Sequence, residues 1–328
     1  MYRVRRRRAR FCAVLAVVLA GMALAAAHRS PSDTGAALND KSRVLNDNGG
    51  TSVSTVTWPQ QGQAALMLAD SPPAASPDEQ PVPIASLAKV MTAYLTLKRY
   101  PLSDTQDGFT ITVSAAAVRA AAQDRAEGQS VVAVQAGEQL TERQLLEALL
   151  IPSGNNVAAL LASVVGGSET RFIAEMNAQA HTLGMDHTSY SDPSGFDPAT
   201  VSTAVDQLRV FQAAMQFSVF REIVSMGSVT LPVAGTVTNF DPLIAEGYAG
   251  KTGSDSAARG CLAFFTGVTV GGRPITAVGV VLGQGQGSDT SGLLAAAGDA
   301  AERLVDSLAP ATPVRSIPAP GGRVALHS

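Results

Sequence analysis

The order of strand and helix patterns along the chain constrains its fold more strongly than any other sequence feature. An apolar strand pattern occupies residues 62–70, and two further strand patterns, 261–270 and 273–282, flank Gly271-Gly272. A Gly-Gly pair between two such runs is typical of an antiparallel hairpin, because glycine readily adopts the φ angles of a tight turn. The patterns between these two ends are mostly helical. The sequence therefore predicts an α+β fold whose single sheet is built from both ends of the chain and carries a helical insertion.

The helical middle and the remaining strands have recognisable boundaries. The predicted N-caps are Thr141, Ser168 and Thr203, whose side chains can accept hydrogen bonds from the free N–H groups of a first helical turn. The sequence predicts helices from Ser86 to about Tyr100 and over 142–151, 157–165, 169–185, 207–215 and 290–308, and shorter strands over 108–114 and 228–237.

The first residues of the chain predict an export signal. Six arginines lie within the first ten residues, an apolar run of 17 residues follows at 11–27, and Ala25-Ala26-Ala27 provides a small-residue cleavage pattern. We interpret 1–27 as a signal peptide or, if it is not cleaved, as a signal anchor; only in the second case would 11–27 contact a membrane. In both cases we expect an extracytoplasmic protein, either secreted or anchored to the outer face of the cell membrane.

The rest of the chain divides into a linker, one folded domain and a tail. Residues 28–55 are rich in Ser, Asp, Asn and Gly and predict a flexible linker, 56–309 form the domain, and 310–328 are a Pro/Gly-rich tail. A hydrophobic content of 46% and a charged content of 16% are typical of a globular protein. The formal charge of −3 gives no reason to expect a nucleic-acid partner.

Cysteine and histidine are sparse in this sequence. Cys12 lies in the predicted signal, which leaves Cys261 as a single core thiol without an internal disulfide partner. The four histidines show no metal-ligand spacing, and none is placed as an obvious catalytic base. We therefore predict neither a metal site nor a cofactor.

Lysine is rare, and the placement of each lysine is informative. The chain contains 20 arginines but only four lysines, Lys41, Lys89, Lys98 and Lys251. Arginine stays protonated, whereas a buried lysine can lose its proton and act as a base. Lys41 lies in the predicted linker and Lys98 at a helix end, where a cation is favourable. Lys89 and Lys251 therefore require a chemical explanation.

Ser86 and Lys89 form an S-x-x-K motif at the start of a predicted helix. A spacing of three residues places both side chains on one helix face. Burial and the positive end of the helix both lower the pKa of a lysine, which would leave a neutral amine beside the hydroxyl of Ser86. Such an amine can act as the general base for a nucleophilic serine. The alternative is a capping serine with a lysine that extends to solvent.

Two further short motifs follow in the chain. Ser153-Gly154-Asn155 lies in a break between two predicted helices, and "KTG", residues 251–253, precedes the C-terminal strands. Each alone is compatible with an ordinary turn or strand start. In the order S-x-x-K, S-x-N, K-T-G, the three form the set known from penicillin-recognising serine enzymes.

With these motifs the chain resembles a low-molecular-mass penicillin-binding protein, a serine D-alanyl-D-alanine carboxypeptidase of the actinobacterial type. The resemblance covers about residues 58–308 and includes "IASLAKVMTAYL", "LLIPSGNN", "SYSDPSGFDPATVSTAVD" and "GKTGSDSAARGCLAF". It implies a β-lactamase/transpeptidase-like fold, with a five-stranded antiparallel sheet flanked by helices and a helical subdomain. The active site is then expected between the sheet and the helical subdomain.

The resemblance also implies roles for the catalytic residues. Ser86 resembles the nucleophile that attacks the terminal D-Ala-D-Ala amide, and Lys89 resembles its general base. Ser153 and Lys251 resemble the route by which a proton returns to the leaving D-alanine. Asn155 resembles the side chain that holds Lys89 and the substrate amide.

The residues implied in substrate binding lie on one segment. Lys251 and Thr252 are expected to bind the terminal carboxylate, because that task needs positive charge and a hydroxyl donor. Gly253 and Ser254 continue this segment, and the backbone N–H groups of Ser86 and Ser254 are the expected oxyanion hole.

Three positions on or after this segment depart from the family pattern. Gly250 replaces the usual Ile, and we expect the missing side chain to loosen the packing of the strand that carries Lys251. Asp255 replaces a Thr or Ser, and its charge is expected to weaken carboxylate binding. Arg259 replaces a glycine; it is either a solvent-exposed loop residue or a second cation for the carboxylate.

The leading functional hypothesis is removal of the terminal D-alanine from peptidoglycan stem peptides, with β-lactams as covalent inhibitors. One alternative is a serine β-lactamase, but the E-x-x-L-N pattern of the class A deacylation loop is absent at Glu175 and Glu222, the nearest candidates. Another is a degenerate domain that binds penicillin or cell-wall peptide without turnover.

Overall fold

The computed structural model of the chain describes residues 56–69, 71–103, 105–270, 272–287 and 289–308. The predicted signal segment, linker and tail lie outside these residues. The helices are α1 (Ala88–Arg99), α2 (Ala115–Ala126), α3 (Glu142–Leu150), α4 (Asn155–Gly166), α5 (Glu169–Thr182), α6 (Ala204–Ala214), α7 (Ser218–Val224) and α8 (Thr290–Asp306). The strands are β1 (Gln63–Leu68), β2 (Ala74–Ala75), β3 (Val82–Pro83), β4 (Thr110–Thr112), β5 (Gln139–Thr141), β6 (Val201–Ser202), β7 (Ser228–Leu231), β8 (Gly235–Thr238), β9 (Ala249–Asp255), β10 (Arg259–Val270) and β11 (Arg273–Gln284).

Five strands form the main sheet in the order β2-β1-β11-β10-β9, and every neighbouring pair is antiparallel. Strand β1 lies beside β11 although most of the chain separates them, with Ala65 opposite Val280. Strands β10 and β11 form the predicted hairpin, and Gly272 in its turn has a φ of 77°. The prediction of one sheet built from both ends of the chain is therefore confirmed.

Both faces of the sheet carry apolar side chains, so each face must pack against other elements that exclude water. Ala64 and Leu66 of β1 belong to a core that includes Leu304 of α8, whereas Ala65 and Met67 join the core formed with the helical region. This division follows from the alternation of side chains along a strand. Full burial of a leucine contributes about 1.5–3 kcal/mol, so both layers stabilise the sheet.

Helix α1 lies at the centre of the helical region and carries the first sequence motif. Residues from Ala88 to Leu97 are buried along most of its length, and α1 packs against α3, α4 and α6. The single 3-10 turn Ala85–Leu87 precedes it and contacts β9. Helix α1 therefore brings its first residues to the edge strand of the sheet.

The structure corrects the prediction for residues 228–237. They form two short strands, β7 and β8, which pair with each other and not with the main sheet. Pro232 lies between the strands and Gly235 has a φ of 69°, so the chain turns where one strand was expected.

Helices α2 and α7 were not predicted from the sequence. Helix α2 buries only Ala121 and so has little apolar periodicity, and α7 spans only Ser218–Val224.

Within the described residues, no single helix is long and apolar enough to cross a membrane; α4 and α5 reach that length and composition only as a pair with an 84° bend.

Candidate active site

Ser86 lies in the turn that leads into α1, and this turn has a strained backbone. Ala85 has a φ of 45°, a left-handed value that costs a non-glycine residue roughly 1–3 kcal/mol. The carbonyl group of Ala85 packs against Gly195, where an added Cβ atom would lie 1.7 Å from the carbonyl oxygen. Gly195 also has a φ of 80°, so only glycine fits this contact without distortion. The loop that contains Gly195 therefore supports the turn of Ser86.

Lys89 lies beneath Ser86 and is completely buried. Its Nζ atom is 2.6 Å from Ser86 Oγ, 2.7 Å from Asn155 Oδ1 and 3.1 Å from the carbonyl oxygen of Ser194. Ser86 makes no helix-capping hydrogen bond at the start of α1, and the Lys89 side chain does not reach solvent. The interpretation as a capping serine with a solvent-directed lysine is therefore wrong.

The surroundings of Lys89 favour the neutral amine. Burial lowers its pKa well below the usual value, and the positive charge of Lys251 lowers it further, while Asp192 acts in the opposite direction. A neutral amine has two N–H groups, and the oxygens of Asn155 and Ser194 can only accept them. The lone pair of Nζ then faces Ser86, whose hydroxyl donates to it. This arrangement can activate a serine.

Ser153 and Lys251 form a second pair on the opposite side of the site. Ser153 lies between α3 and α4 with a φ of 62°. The buried Lys251 Nζ donates hydrogen bonds to Ser153 Oγ (3.0 Å) and to the carbonyl oxygen of Thr252 (2.8 Å). Burial lowers the pKa of Lys251 to about 7, although the negative charge of Asp241 raises it. Lys251 can therefore exchange a proton near neutral pH.

Asn155, the first residue of α4, connects the Lys89 pair to a neighbouring loop. Its Oδ1 atom accepts a hydrogen bond from Lys89, and its Nδ2 atom donates to Gln129 Oε1 at 2.8 Å. Its backbone N–H donates to the carbonyl group of Ser130, also at 2.8 Å. The two side-chain contacts orient the amide group of Asn155, and the backbone contact holds the start of α4 beside Ser130.

An open cleft of about 240 Å³ exposes these groups to a ligand. Ser86, Ser153 and Asn155 line it together with Thr252 and Ser254 of β9, among other residues. The structure thus brings the three motifs together between the helical region and the edge of the sheet. No group of three or more His, Cys, Asp or Glu side chains in the described part of the chain is arranged to hold a metal ion.

Strand β9 approaches the turn of Ser86 closely because residue 253 is glycine. A Cβ atom at Gly253 would lie 3.0 Å from the carbonyl oxygen of Ile84, from Leu87 Cδ1 and from the backbone nitrogen of Ser86. A larger residue would force the strand away from the turn. Gly253 thus sets the width of the cleft between Ser86 and β9.

Sequence reasoning did not identify the loop that completes the Lys89 environment. The loop at residues 191–200 contributes the carbonyl groups of Ser194, which accepts from Lys89, and of Pro193, which accepts from Thr92 Oγ1 at 2.7 Å. Backbone acceptors have no side-chain signature. The Asp-Pro-Ser-Gly stretch predicts a turn but does not predict which group the turn contacts.

Asp255 and Arg259 belong to the hairpin between β9 and β10. Asp255 Oδ1 accepts hydrogen bonds from the N–H groups of Ala257 (2.7 Å) and Ala258 (2.6 Å), so its carboxylate stabilises the turn. Arg259 has a φ of 59°, which explains why glycine is usual at this position. The Arg259 residue is exposed and does not line the cleft, which favours its interpretation as a solvent-exposed loop arginine.

Gly250 does not loosen β9, contrary to the expectation from sequence. The residue is buried opposite Phe264 of β10, and an added Cβ atom would lie 2.0 Å from the carbonyl oxygen of Ala263. The absence of a side chain here permits a close strand contact.

We expect Gly250→Ala to destabilise the protein by about 1–3 kcal/mol, because the inserted methyl group forces β9 and β10 apart. Thermal denaturation measures this effect as a lower Tm. Gly267→Ala is the matched control, since Gly267 lies further along β10, opposite Thr276 of β11, and has open space around its Cβ position. An unchanged Tm in Gly250→Ala would show that the strands accommodate the methyl group.

The chain has relatives among known peptidases. A family model described as D-alanyl-D-alanine carboxypeptidase matches residues 74–284. The chain is 36% identical to D-alanyl-D-alanine carboxypeptidase DacB2 of Mycobacterium tuberculosis over 186 residues, 54% of this chain and 60% of that protein. It is 33% identical to a D-alanyl-D-alanine carboxypeptidase of Streptomyces sp. strain K15, over 44% of this chain and 55% of that protein. The matched regions thus span less than two thirds of these relatives.

Solved structures share the same architecture over a larger part of the chain. The crystal structure of the Streptomyces K15 DD-transpeptidase has a TM-score of 0.64 and 26% identity, covering 77% of this chain and 99% of that chain. An evolved penicillin-binding protein homologue from Mycobacterium tuberculosis has a TM-score of 0.62 and 28% identity, covering 82% and 98%. The expected β-lactamase/transpeptidase-like fold is therefore confirmed.

Proposed function

The chain belongs to the D-alanyl-D-alanine carboxypeptidase family of low-molecular-mass penicillin-binding proteins, and we propose that it removes the terminal D-alanine from peptidoglycan stem peptides. The observation that carries this proposal is the buried Lys89 amine, 2.6 Å from the hydroxyl group of Ser86 at the base of an open cleft. A serine with a neutral amine as its base can attack an amide without histidine or metal.

In the acylation step, neutral Lys89 takes the proton of Ser86 Oγ while that oxygen attacks the carbonyl carbon of the D-Ala–D-Ala bond. The negative charge that develops on the carbonyl oxygen is placed against the backbone N–H groups of Ser86 and Ser254. Preorganised donors of this kind typically contribute roughly 2.7–4 kcal/mol each. Collapse of the tetrahedral intermediate then breaks the C–N bond and leaves an ester on Ser86.

The leaving D-alanine needs a proton on its amine nitrogen. Ser153 lines the cleft and its Oγ atom accepts a hydrogen bond from Lys251, so Ser153 can pass its proton to the amine and regain one from Lys251. The substrate carboxylate would lie near Lys251 and Thr252. An opposite charge favours the charged form of a lysine, so substrate binding raises the pKa of Lys251 above about 7 and charges this proton donor.

Deacylation distinguishes this activity from that of a serine β-lactamase. Among the described residues that line the cleft, Asp255 is the single carboxylate, and its Oδ1 atom already accepts two backbone hydrogen bonds. Glu175 and Glu222 instead form ion pairs with Arg99 and Arg143. The lining thus offers no glutamate to activate water, which supports a long-lived penicilloyl enzyme and β-lactams as covalent inhibitors.

The proposed substrate also agrees with the predicted location. Peptidoglycan lies outside the cytoplasm, and residues 1–27 combine an arginine cluster with an apolar run of 17 residues. We therefore include export in the proposal, with the catalytic domain either released or held at the outer face of the membrane.

Intact-mass analysis with and without benzylpenicillin tests the proposal. We expect one penicilloyl group per chain, attached at Ser86 by peptide mapping, and slow loss of the adduct. The same preparation should release D-alanine from an acyl-D-Ala-D-Ala peptide. Rapid multiple turnover of benzylpenicillin would favour a β-lactamase, and binding without an adduct or D-alanine release would indicate a domain that has lost catalysis.

A further inference from the structure

The carbonyl group of Ser194 is an essential part of the Lys89 environment. It accepts one of the two hydrogen bonds that leave the amine lone pair directed at Ser86. Ser194 lies in a loop, residues 191–200, without helix or extended strand. A group in such a loop keeps its position only if other contacts hold the loop in one conformation.

Asp192 provides most of these contacts. Its Oδ2 atom accepts hydrogen bonds from the N–H of Ser194 (3.0 Å), the hydroxyl of Ser194 (2.5 Å) and the N–H of Phe196 (3.0 Å). Its Oδ1 atom accepts from Thr200 Oγ1 at 2.7 Å. No ion pair involves Asp192 within the described part of the chain. The carboxylate therefore acts within its own loop and connects both ends of it to Ser194.

We propose that Asp192 is a positioning residue that holds the Ser194 carbonyl group against Lys89 and thereby directs the amine toward Ser86. This inference rests on the proposed function of Ser86 and Lys89. It concerns how the base is aligned and charged, whereas Asp192 itself makes no contact with the reacting atoms.

Two independent contacts place this loop against the serine turn. Thr92 Oγ1 of α1 donates to the carbonyl group of Pro193, and Gly195 packs on the carbonyl group of Ala85. Both contacts flank Ser194 in sequence, so the loop is already docked on α1. Asp192 then determines the direction in which the Ser194 carbonyl group points within the docked loop.

The charge of Asp192 affects the pKa of Lys89, so the proposal predicts a specific change in the pH dependence of kcat/KM. The charged groups that affect Lys89 are Lys251, which disfavours its ammonium form, and Asp192, which favours it. Loss of the Asp192 charge, or of the Ser194 acceptor, removes stabilisation of the ammonium and lowers the pKa of Lys89. The acidic limb of kcat/KM reports the pKa of the base in the free enzyme, so that limb should move to lower pH.

The experiment compares Asp192→Ala and Asp192→Asn with Asp197→Asn in the full-length chain. Asp197 is a matched control because it lies in the same loop, is exposed, and accepts one hydrogen bond from Ala199 N–H. We expect Asp192→Ala to lower kcat/KM for an acyl-D-Ala-D-Ala peptide about 10- to 150-fold, the loss typical of one charge-assisted hydrogen bond. Asp192→Asn should lower kcat/KM by a smaller factor and should move the acidic limb of the kcat/KM profile to lower pH. Asp197→Asn should match the unchanged protein.

Lysine NMR measures the same effect without turnover. The sequence has only four lysines, so 13Cε-labelled lysine gives few signals, and Lys89→Arg identifies that of Lys89. We expect the Lys89 signal to titrate at lower pH in Asp192→Asn than in Asp197→Asn. An unchanged titration together with an unchanged kcat/KM profile would overturn the role of Asp192. Absence of D-alanine release and penicillin labelling in the unchanged protein would instead overturn the proposed function.

Discussion

Replacement of Ser86 by alanine is expected to abolish both D-alanine release and covalent penicillin labelling. Loss of the nucleophile of a serine peptidase lowers kcat on the order of 10⁶-fold, and among the described residues that line the cleft the second serine with a lysine contact, Ser153, accepts its hydrogen bond from that lysine. Ser153 faces Lys251, which donates to it and to Thr252. The measurement is the mass of the chain after incubation with benzylpenicillin, together with D-alanine release.

The fold should survive this change. Ser86 Oγ contacts Lys89 Nζ, and the two other hydrogen-bond partners of Lys89, Asn155 and Ser194, remain in place. Ser225→Ala is a suitable control, since Ser225 is exposed and donates to the backbone of Arg221. A penicilloyl adduct that persists in Ser86→Ala with a native Tm would move the nucleophile to another residue.

Replacement of Lys89 by arginine is expected to lower kcat/KM about 10²- to 10⁴-fold, the usual contribution of a general base. Arginine keeps a positive charge at every accessible pH and cannot take the proton of Ser86. The unchanged protein should gain activity as pH rises through the lowered pKa of Lys89, because only the neutral amine is active. The variant should lack this acidic limb. The pH profile of penicillin acylation measures both effects.

Two further variants make the result interpretable. Lys98→Arg is the same substitution on the same helix, at an exposed position that contacts Gln179, and should leave acylation unchanged. Lys89→Met fills a similar buried volume without charge or a basic nitrogen, so it reports on the missing base if the buried guanidinium of Lys89→Arg prevents folding. Near-normal acylation in a folded Lys89 variant would show that Lys89 is not the base.

Much of the fold and the first pair of the site were accessible from the sequence. The hairpin around Gly272 and the strand over 62–70 were predicted because both depend on patterns within a few residues. The apolar run at 228–237 predicts one strand, and this prediction is wrong because Pro232 and Gly235 turn the chain and divide the run into β7 and β8. The exposed helix α2 was missed because an element that buries little leaves little apolar periodicity.

The sequence by itself determined that Ser86 and Lys89 share one helix face, because a spacing of three residues brings side chains together in any α-helix or 3-10 turn. The sequence also determined that positions 89 and 251 carry lysine, which can lose its proton, and not arginine, which stays protonated. Only the tertiary structure decided that the pKa of this amine is lowered and that its lone pair faces Ser86. The lowered pKa depends on complete burial and on Lys251, and the direction of the lone pair depends on the carbonyl group of Ser194, which lies 105 residues from Lys89 along the chain. A pKa sums the effects of all surrounding groups, and these groups come together only when distant segments fold against each other.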